Sequence, residues 1–245
     1  MTMKKIFKTA LIFCMLFPTL ALSLDSTATV TPNDEVREFI KSIFDDNAKH
    51  VSEISHEHFK SFAEQQNPRA TVITCSDSRV QADAFHQSPV NDLFVIRNIG
   101  NQIKTTEGSI EYGIDHLHTP FLLIIGHSHC GAIAAALGNY SREAKAIRTE
   151  LDHLHLSPQI DTNQGVIENV NNQVAYALMK FKDKIAKKEL VVVGAVYDFR
   201  DDFDEGHGKL ILINLNGEKD PAKIKQSEYI KGFDDIAVGI KNPVK

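Results

Sequence analysis

The sequence predicts an α/β fold in which a mainly parallel central β-sheet is flanked by helices. Four apolar runs are continuous rather than alternating, which is typical of parallel strands buried on both faces. Segments with helical periodicity separate these runs, and strands that alternate with helices favour a parallel sheet with right-handed crossovers. The chain has 245 residues, of which 42% are hydrophobic and 24% charged. It can therefore fill one domain of this class.

Five strands are expected, about four of them parallel. They are Ala70–Thr74, Leu93–Ile96, Phe121–Ile125, Leu190–Val196 and Lys209–Leu215. The last strand follows an acidic segment with several glycines, Asp198–Gly208, which we interpret as a solvated loop. We expect this last strand at an edge of the sheet, where an antiparallel strand can be added.

An N-terminal helical arm is predicted before the first strand. Asn33 is a suitable N-cap for it. Five apolar residues then follow at the spacing of one helix face: Val36, Phe39, Ile40, Ile43 and Phe44. We expect this face to pack on the core or on another subunit. Two more apolar stripes predict helices between the strands, in the segments Ile110–Leu117 and Ile167–Phe181.

Residues 1–23 have the pattern of a secretory signal peptide. A basic region, Met1–Lys8, precedes the apolar run Ala10–Leu22, and Ala21 and Ser23 are small enough for a signal peptidase. The run is shorter than the roughly 20 residues that span a bilayer, although a retained membrane anchor stays the alternative. We therefore expect cleavage near Ser23, export to the periplasm, and one domain over residues 24–245 with its core at about 35–215.

The charge balance disfavours nucleic acid as a partner. The formal net charge is −5 at pH 7, whereas a surface that binds phosphates normally carries a basic excess. The composition also lies far from that of collagen-like, disordered or disulfide-rich chains.

Two cysteines outside the predicted leader follow buried strands. Cys75 comes directly after the first strand, and His127 and Cys130 lie in the turn after the third. Because sites in open α/β sheets form beyond the carboxyl ends of the strands, one ion can be reached by all three side chains. Two thiolates and an imidazole suit zinc, and three protein ligands leave a fourth position open for catalysis. In an exported protein, a disulfide between the two cysteines is the alternative.

Four motifs resemble the successive signatures of β-class carbonic anhydrases. They are C-S-D-S-R-V (Cys75–Val80), R-N-I-G-N (Arg97–Asn101), S-I-E-Y-G (Ser109–Gly113) and G-H-S-H-C-G-A (Gly126–Ala132). The resemblance spans roughly residues 35–215. It implies an enzyme with one zinc ion per chain that interconverts carbon dioxide and bicarbonate. It also implies a homodimer or a homotetramer.

The resemblance also implies roles for particular residues. Cys75, His127 and Cys130 match the zinc ligands, and Asp77 and Arg79 match the pair beside the fourth position. The expected substrate pocket matches the wall residues Phe94, Ile99 and Tyr112, the amide of Gln66 and the backbone N–H of Gly131.

The chemistry of the expected zinc site suggests a role for Asp77 and a role for Arg79. Zinc with two thiolates and a neutral imidazole carries no net charge, so it acidifies bound water less than a three-histidine site does. We expect Asp77 to accept a hydrogen bond from the hydroxide that attacks carbon dioxide. Arg79 would hold Asp77 through two hydrogen bonds and keep it off the metal.

Two features depart from the family pattern. Some members carry Trp three residues before the first cysteine and Gly one residue before it, which frame an inhibitory bicarbonate pocket. Val72 and Thr74 occupy those positions here, so we expect no such pocket. The segment Asp198–Gly208 is also longer than the tight turn usual in the family.

Two other functions stay open at the level of sequence. The same scaffold supports hydrolysis of carbon disulfide or carbonyl sulfide. A non-catalytic zinc-binding protein or a thiol redox protein is a different class of answer. The C-x-x-C motif is absent, so redox work would need Cys75 and Cys130 to form an exposed pair.

Overall fold

A computed structural model of the chain describes residues 32–240. The predicted signal peptide, its cleavage site and Cys14 lie outside the described residues. Within residues 32–240, no helix combines the length and the apolar character that crossing a membrane requires. The chain divides into two compact units between His56 and Glu57.

The second unit is built on a five-stranded sheet. Its strands are β1 (Ala70–Cys75), β2 (Leu93–Asn98), β3 (Phe121–His127), β4 (Val191–Asp198) and β5 (Lys209–Leu215). They lie in the order β2-β1-β3-β4-β5. The first four are parallel, and β5 pairs with β4 in the antiparallel direction at the edge. The fold class and the edge position of the last strand are thus as the sequence predicted.

Burial explains why these segments form strands. All six residues of β1 are buried, and six of the eight residues of β4 are buried. A strand with helices or loops against both faces gains from apolar side chains at every position, which is why the sequence shows runs rather than alternation.

Eight α-helices lie within the described residues. They are α1 (Pro32–Glu53), α2 (His56–Lys60), α3 (Glu107–Glu111), α4 (Gly131–Leu137), α5 (Lys145–Leu151), α6 (Thr162–Lys180), α7 (Lys182–Ala186) and α8 (Pro221–Gln226). The longest helix of the second unit, α6, begins at a capping box between Asp161 and Gln164. In this motif the two side chains accept hydrogen bonds from backbone N–H groups that have no partner within the helix. The predicted helix over Ile110–Leu117 is divided, because α3 continues into a π-helical turn, Tyr112–His116.

Two glycines allow α6 to approach the sheet closely. A Cβ atom on Gly126 would lie 2.7 Å from Val170 Cγ2, and one on Gly194 would lie 2.8 Å from Val170 Cγ1. Both glycines are in neighbouring strands, so the helix packs over β3 and β4. This contact fixes the last residues of β3, where His127 lies.

Helix α1 belongs to the first unit and buries none of its residues. It already includes Asn33, so the predicted N-cap lies inside the first turn. The five residues of the predicted apolar face are 50–71% exposed. The stripe that the sequence showed is therefore a long apolar surface on an exposed helix.

Candidate metal centre

Three ligand-type side chains meet at the carboxyl edge of the sheet. Cys75 ends β1, His127 ends the neighbouring β3, and Cys130 directly precedes α4. Their ligand atoms all lie within 4.8 Å of one another, and all three residues are buried. The structure thus brings together the three side chains that the sequence placed on one ion.

The distance between the two sulfurs suits a metal better than a disulfide. Cys75 Sγ and Cys130 Sγ are 4.0 Å apart, and both cysteines are free. A disulfide would hold them at about 2.05 Å. Two sulfurs at about 2.3 Å from a tetrahedral zinc ion are about 3.8 Å apart. Both side chains are buried, whereas a thiol redox pair needs exposure.

The imidazole of His127 is oriented for a ligand at Nε2. Its Nδ1–H donates to the carbonyl oxygen of Ser128 at 3.0 Å, which leaves the lone pair on Nε2. Nε2 is buried and has no hydrogen-bond partner within the described part of the chain. A buried polar atom without a partner is costly, and a cation bound at Nε2 and the two sulfurs removes that cost. The donor set therefore fits zinc.

The two thiols ionise very differently. Hydrogen bonding from Cys130, helped by the backbone N–H groups of Gly100 and Asp77, lowers the pKa of the Cys75 thiol, although burial works in the opposite direction. Hydrogen bonding to the Cys75 thiolate, followed by burial, raises the pKa of the Cys130 thiol. Each thiolate thus disfavours ionisation of the other thiol, and a bound dication would stabilise both sulfurs as thiolates.

Asp77 and Arg79 form a two-point ion pair beside the cluster. Asp77 Oδ1 accepts from Arg79 Nε at 2.9 Å, and Asp77 Oδ2 accepts from Arg79 Nη2 at 2.7 Å. The hydrogen bond from the guanidinium holds the pKa of the Asp77 carboxyl well below its usual range. Asp77 Oδ2 also lies 3.9 Å from His127 Nε2, so an ionised carboxylate faces the space that the ligand atoms surround.

Arg97 also belongs to the site, although the sequence did not indicate its structural role. Its Nε donates to the carbonyl oxygen of Cys75 at 3.2 Å, and its Nη2 donates to that of Asp77 at 2.7 Å. Nη1 donates to Gln81 Oε1 at 2.8 Å. The guanidinium therefore fixes the backbone between the first cysteine and the carboxylate. The R-N-I-G-N motif marked the position, but only the fold shows what Arg97 contacts.

The residues predicted for the substrate pocket are placed in different ways. The rings of Phe94 and Tyr112 are 5.7 Å apart, and Phe94 and Ile99 are half-buried against the main core. Gly131 opens α4 and is exposed, and a Cβ atom there would meet nothing within 4 Å. Gln66 is exposed in the segment before β1. Their roles toward substrate remain predictions.

The interpretation of Asp198–Gly208 as a solvated loop is wrong for its first half. Asp198 and Phe203 are completely buried. The Asp198 carboxylate accepts hydrogen bonds from the backbone N–H groups of Arg200, Asp202 and Phe203. The segment is folded around the carboxylate of Asp198. The sequence could not show which of its several acidic residues is buried.

Fold and site together define the class of this protein: an α/β protein with a buried Cys-His-Cys cluster at the carboxyl edge of its sheet. A sequence model of the carbonic anhydrase family matches residues 70–204. This match includes the whole cluster, together with Asp77 and Arg79. The chain belongs to the β-carbonic anhydrase family.

Individual relatives agree with this membership. Carbonic anhydrase 2 of Mycobacterium tuberculosis is 29% identical over 161 residues, which cover 60% of this chain and 78% of that enzyme. The carbonic anhydrase of Synechococcus elongatus is 46% identical over 86 residues, which cover 32% of this chain and 32% of that enzyme. The chain thus matches about a third of the cyanobacterial enzyme's length.

Solved structures share the fold. The β-carbonic anhydrase CcaA superimposes with a TM-score of 0.63 at 25% identity, over 74% of this chain and 88% of that one. A tetrameric β-carbonic anhydrase of Sordaria macrospora gives a TM-score of 0.61 at 23% identity, over 73% of this chain and 97% of that one.

Proposed function

We propose that this protein catalyses the reversible hydration of carbon dioxide to bicarbonate, with one zinc ion held by Cys75, His127 and Cys130. The observation that carries the proposal is the buried Nε2 of His127, which has no hydrogen-bond partner among residues 32–240 and lies beside two buried sulfurs 4.0 Å apart. Membership of the carbonic anhydrase family supports this reaction, and the three donor side chains are where the zinc ion would bind. When bound, zinc provides the Lewis acidity that lets water act as a nucleophile.

Asp77 and Arg79 are proposed to aim the nucleophile. An ionised Asp77 can accept a hydrogen bond from the O–H of the attacking water, which turns an oxygen lone pair toward the carbon of the substrate. Arg79 occupies both carboxylate oxygens and so keeps Asp77 in one orientation. Because the pKa of Asp77 is lowered by this contact, the acceptor stays ionised at neutral pH.

Carbon dioxide offers no charge to bind, so its site has to be small and largely apolar. Phe94, Ile99 and Tyr112 are proposed as the wall. The Gly131 N–H and the Gln66 amide are proposed as donors to a substrate oxygen, on which negative charge develops during attack. The exposed start of α4 and the free space around Gly131 leave room for such a contact.

We also propose that the chain forms a homo-oligomer through α1. The solved relative from Sordaria macrospora is tetrameric. In this chain, Phe39 and Phe44 are 67% and 71% exposed on α1. A stripe of large apolar residues on an exposed helix is typical of an interaction surface.

Metal analysis combined with a stopped-flow hydration assay tests the proposed reaction. The purified protein should hold one zinc ion per chain and hydrate carbon dioxide. In Cys75→Ser, zinc and activity should fall together, because one of three ligands is removed. Ser76→Ala, at the exposed neighbouring position, is the matched control and should retain both.

Three outcomes would contradict the proposal in different ways. Full zinc occupancy in Cys75→Ser would refute the ligand assignment. Full zinc without hydration, but with hydrolysis of carbonyl sulfide or carbon disulfide, would assign the scaffold to that reaction. Full zinc with neither activity would indicate a non-catalytic zinc protein.

A further inference from the structure

The ring of Phe199 contacts two residues of the candidate metal centre. It is stacked on the imidazole of His127, with the ring centroids 5.9 Å apart and the planes at 25°. The guanidinium carbon of Arg79 lies 4.6 Å from the centroid of the same ring. Phe199 directly follows β4, so it reaches the site from a strand that carries none of the three proposed ligands.

The loop that carries Phe199 is anchored by other residues. The Asp198 carboxylate accepts three backbone N–H groups, and the Asp198 carbonyl oxygen accepts from the Gly208 N–H at 2.7 Å. Phe203 fills the core and is completely buried. Besides these contacts, the half-buried Phe199 side chain contacts the rings of His127 and Tyr197 and the guanidinium of Arg79.

The contacts of Arg79 divide between the edge and the face of its guanidinium. The N–H groups point in the plane and bind Asp77, and Nη2 also lies 3.4 Å from the carbonyl oxygen of His129. The flat face is free for an aromatic ring, which attracts a cation through its π electrons. Asp77 and Phe199 can therefore hold Arg79 at the same time.

We propose that Phe199 is a positioning residue that keeps Arg79 paired with Asp77. The Arg79 side chain is 46% exposed, and an ion pair that reaches solvent is weak by itself. The ring covers one face of the guanidinium and reduces the number of conformations it can adopt. The inference rests on the proposed function, since the orientation of Asp77 matters for catalysis only if Asp77 aims the nucleophile.

The test compares Phe199→Leu with Phe199→Trp in the zinc-loaded protein. Leu removes the π face, whereas Trp restores it. The control, Phe181→Leu, removes another ring that has a cation near it, since Lys180 Nζ lies 5.8 Å from the Phe181 centroid. Phe181 directly follows α6, in the segment that leads to the start of β4, whereas His127 pairs with Tyr197 near the other end of that strand. If circular dichroism shows that Phe199→Leu is unfolded, Phe199→Met takes its place.

Two measurements are made on each variant. The first is the rate at which phenylglyoxal modifies Arg79, followed by peptide mass spectrometry with the exposed Arg142 as an internal reference. In Phe199→Leu this rate should rise about two- to fivefold, the scale of a lost exposed cation–π contact. The second is turnover: kcat should fall about 10-fold with KM nearly unchanged and zinc retained. Phe199→Trp should restore both, and Phe181→Leu should change neither.

Three results would overturn the proposal: an unchanged Arg79 modification rate in Phe199→Leu, a failure of Trp to restore it, or a loss of kcat that follows loss of zinc. The last result would mean that Phe199 acts through His127. If the unaltered protein does not hydrate carbon dioxide, the proposed function fails, and the Arg79 modification rate still decides whether Phe199 positions the guanidinium.

Discussion

At the scale of single residues, the two oxygens of Asp77 have different surroundings. Oδ1 accepts from both the backbone N–H and the Nε of Arg79, at 3.0 and 2.9 Å. Oδ2 accepts from Nη2 and lies 3.9 Å from His127 Nε2. One oxygen is thus committed to the ion pair, while the other also faces the cluster. This division lets a single carboxylate be held and still serve as an acceptor.

Asp77→Asn removes the charge and replaces one acceptor by an NH₂ group. Two donors, the new amide and Arg79, would then face each other, so the orientation of the side chain is lost. We expect kcat to fall about 100-fold, the upper end of the effect of losing an outer partner of a metal site, with zinc retained. Asp83→Asn, on an exposed turn of the same segment, should match the unaltered protein. A loss of less than about threefold in stopped-flow kcat would contradict this role.

The pH profile follows from the direction of the Asp77 shift. The pKa of the Asp77 carboxyl is lowered in the folded protein, so the carboxylate stays ionised at and below the ordinary pKa of a carboxyl. Its pair with Arg79 breaks only as the pH falls through the lowered pKa. Asp77 therefore does not titrate between about pH 6 and 9. We expect kcat/KM to rise smoothly with pH over this range, as one ionising group, the water activated for attack.

The residues beneath the first cysteine support the same expectation. Val72 and Thr74 are buried in β1, and Thr74 Oγ1 donates to the carbonyl oxygen of Ile125 at 3.2 Å. With Val72 and Thr74 at the positions that frame the inhibitory pocket in other members, we expect no bound anion to draw Asp77 away from Arg79. A steep, cooperative loss of kcat/KM below about pH 8 would show that such a switch exists without the Trp and Gly positions.

At the scale of elements, the end of β3 is held by a close helix contact. Gly126, one residue before His127, lies under Val166 and Val170 of α6, and an added Cβ would lie 3.0 and 2.7 Å from their methyl groups. Such overpacking costs about 1–3 kcal/mol. We expect Gly126→Ala to lower the free energy of unfolding by about that amount, measured by urea denaturation.

A second glycine provides the matched control. Gly108 lies in α3, where a Cβ atom would meet nothing within 4 Å. Because Ala is a better helix former than Gly, Gly108→Ala should be neutral or more stable by up to about 1 kcal/mol. Equal stabilities of the two Ala variants would show that α6 can move away from β3 at little cost.

The sequence predicted elements well where burial produces a pattern of apolar residues. It predicted them poorly where the structure depends on individual side-chain contacts. All five strands lie within two residues of their predicted bounds, because strands buried on both faces need apolar runs. Short helices such as α5 and α7 are too brief to show periodicity. The same holds for the site. Cys75, His127 and Cys130 lie at or just after strand ends and could be predicted to meet, whereas Arg97 and Phe199 make their contacts between separate strands and loops.

At the scale of the whole molecule, the apolar face of α1 is the surface through which we propose that copies of the chain associate. Its five apolar residues are at least half exposed. Burying one exposed Phe side chain in an interface contributes about 1.5–3 kcal/mol to the free energy of association. In a two-fold symmetric dimer each residue is buried twice, once from each subunit. Helix α1 therefore has enough apolar surface to make a large contribution to a subunit interface.

Replacing Phe39 and Phe44 together by Asn should separate the subunits. Two side chains counted from both subunits are worth about 6 kcal/mol or more, so the dissociation constant should rise by at least about 10,000-fold. Analytical ultracentrifugation over a concentration series measures this shift. The control pair, Glu38→Gln with Asp45→Asn, changes exposed polar positions on the same helix and should leave the assembly intact. If the Phe39/Phe44 variant sediments as the same oligomer as the unaltered chain, α1 is not part of the interface, and the subunits associate through the second unit.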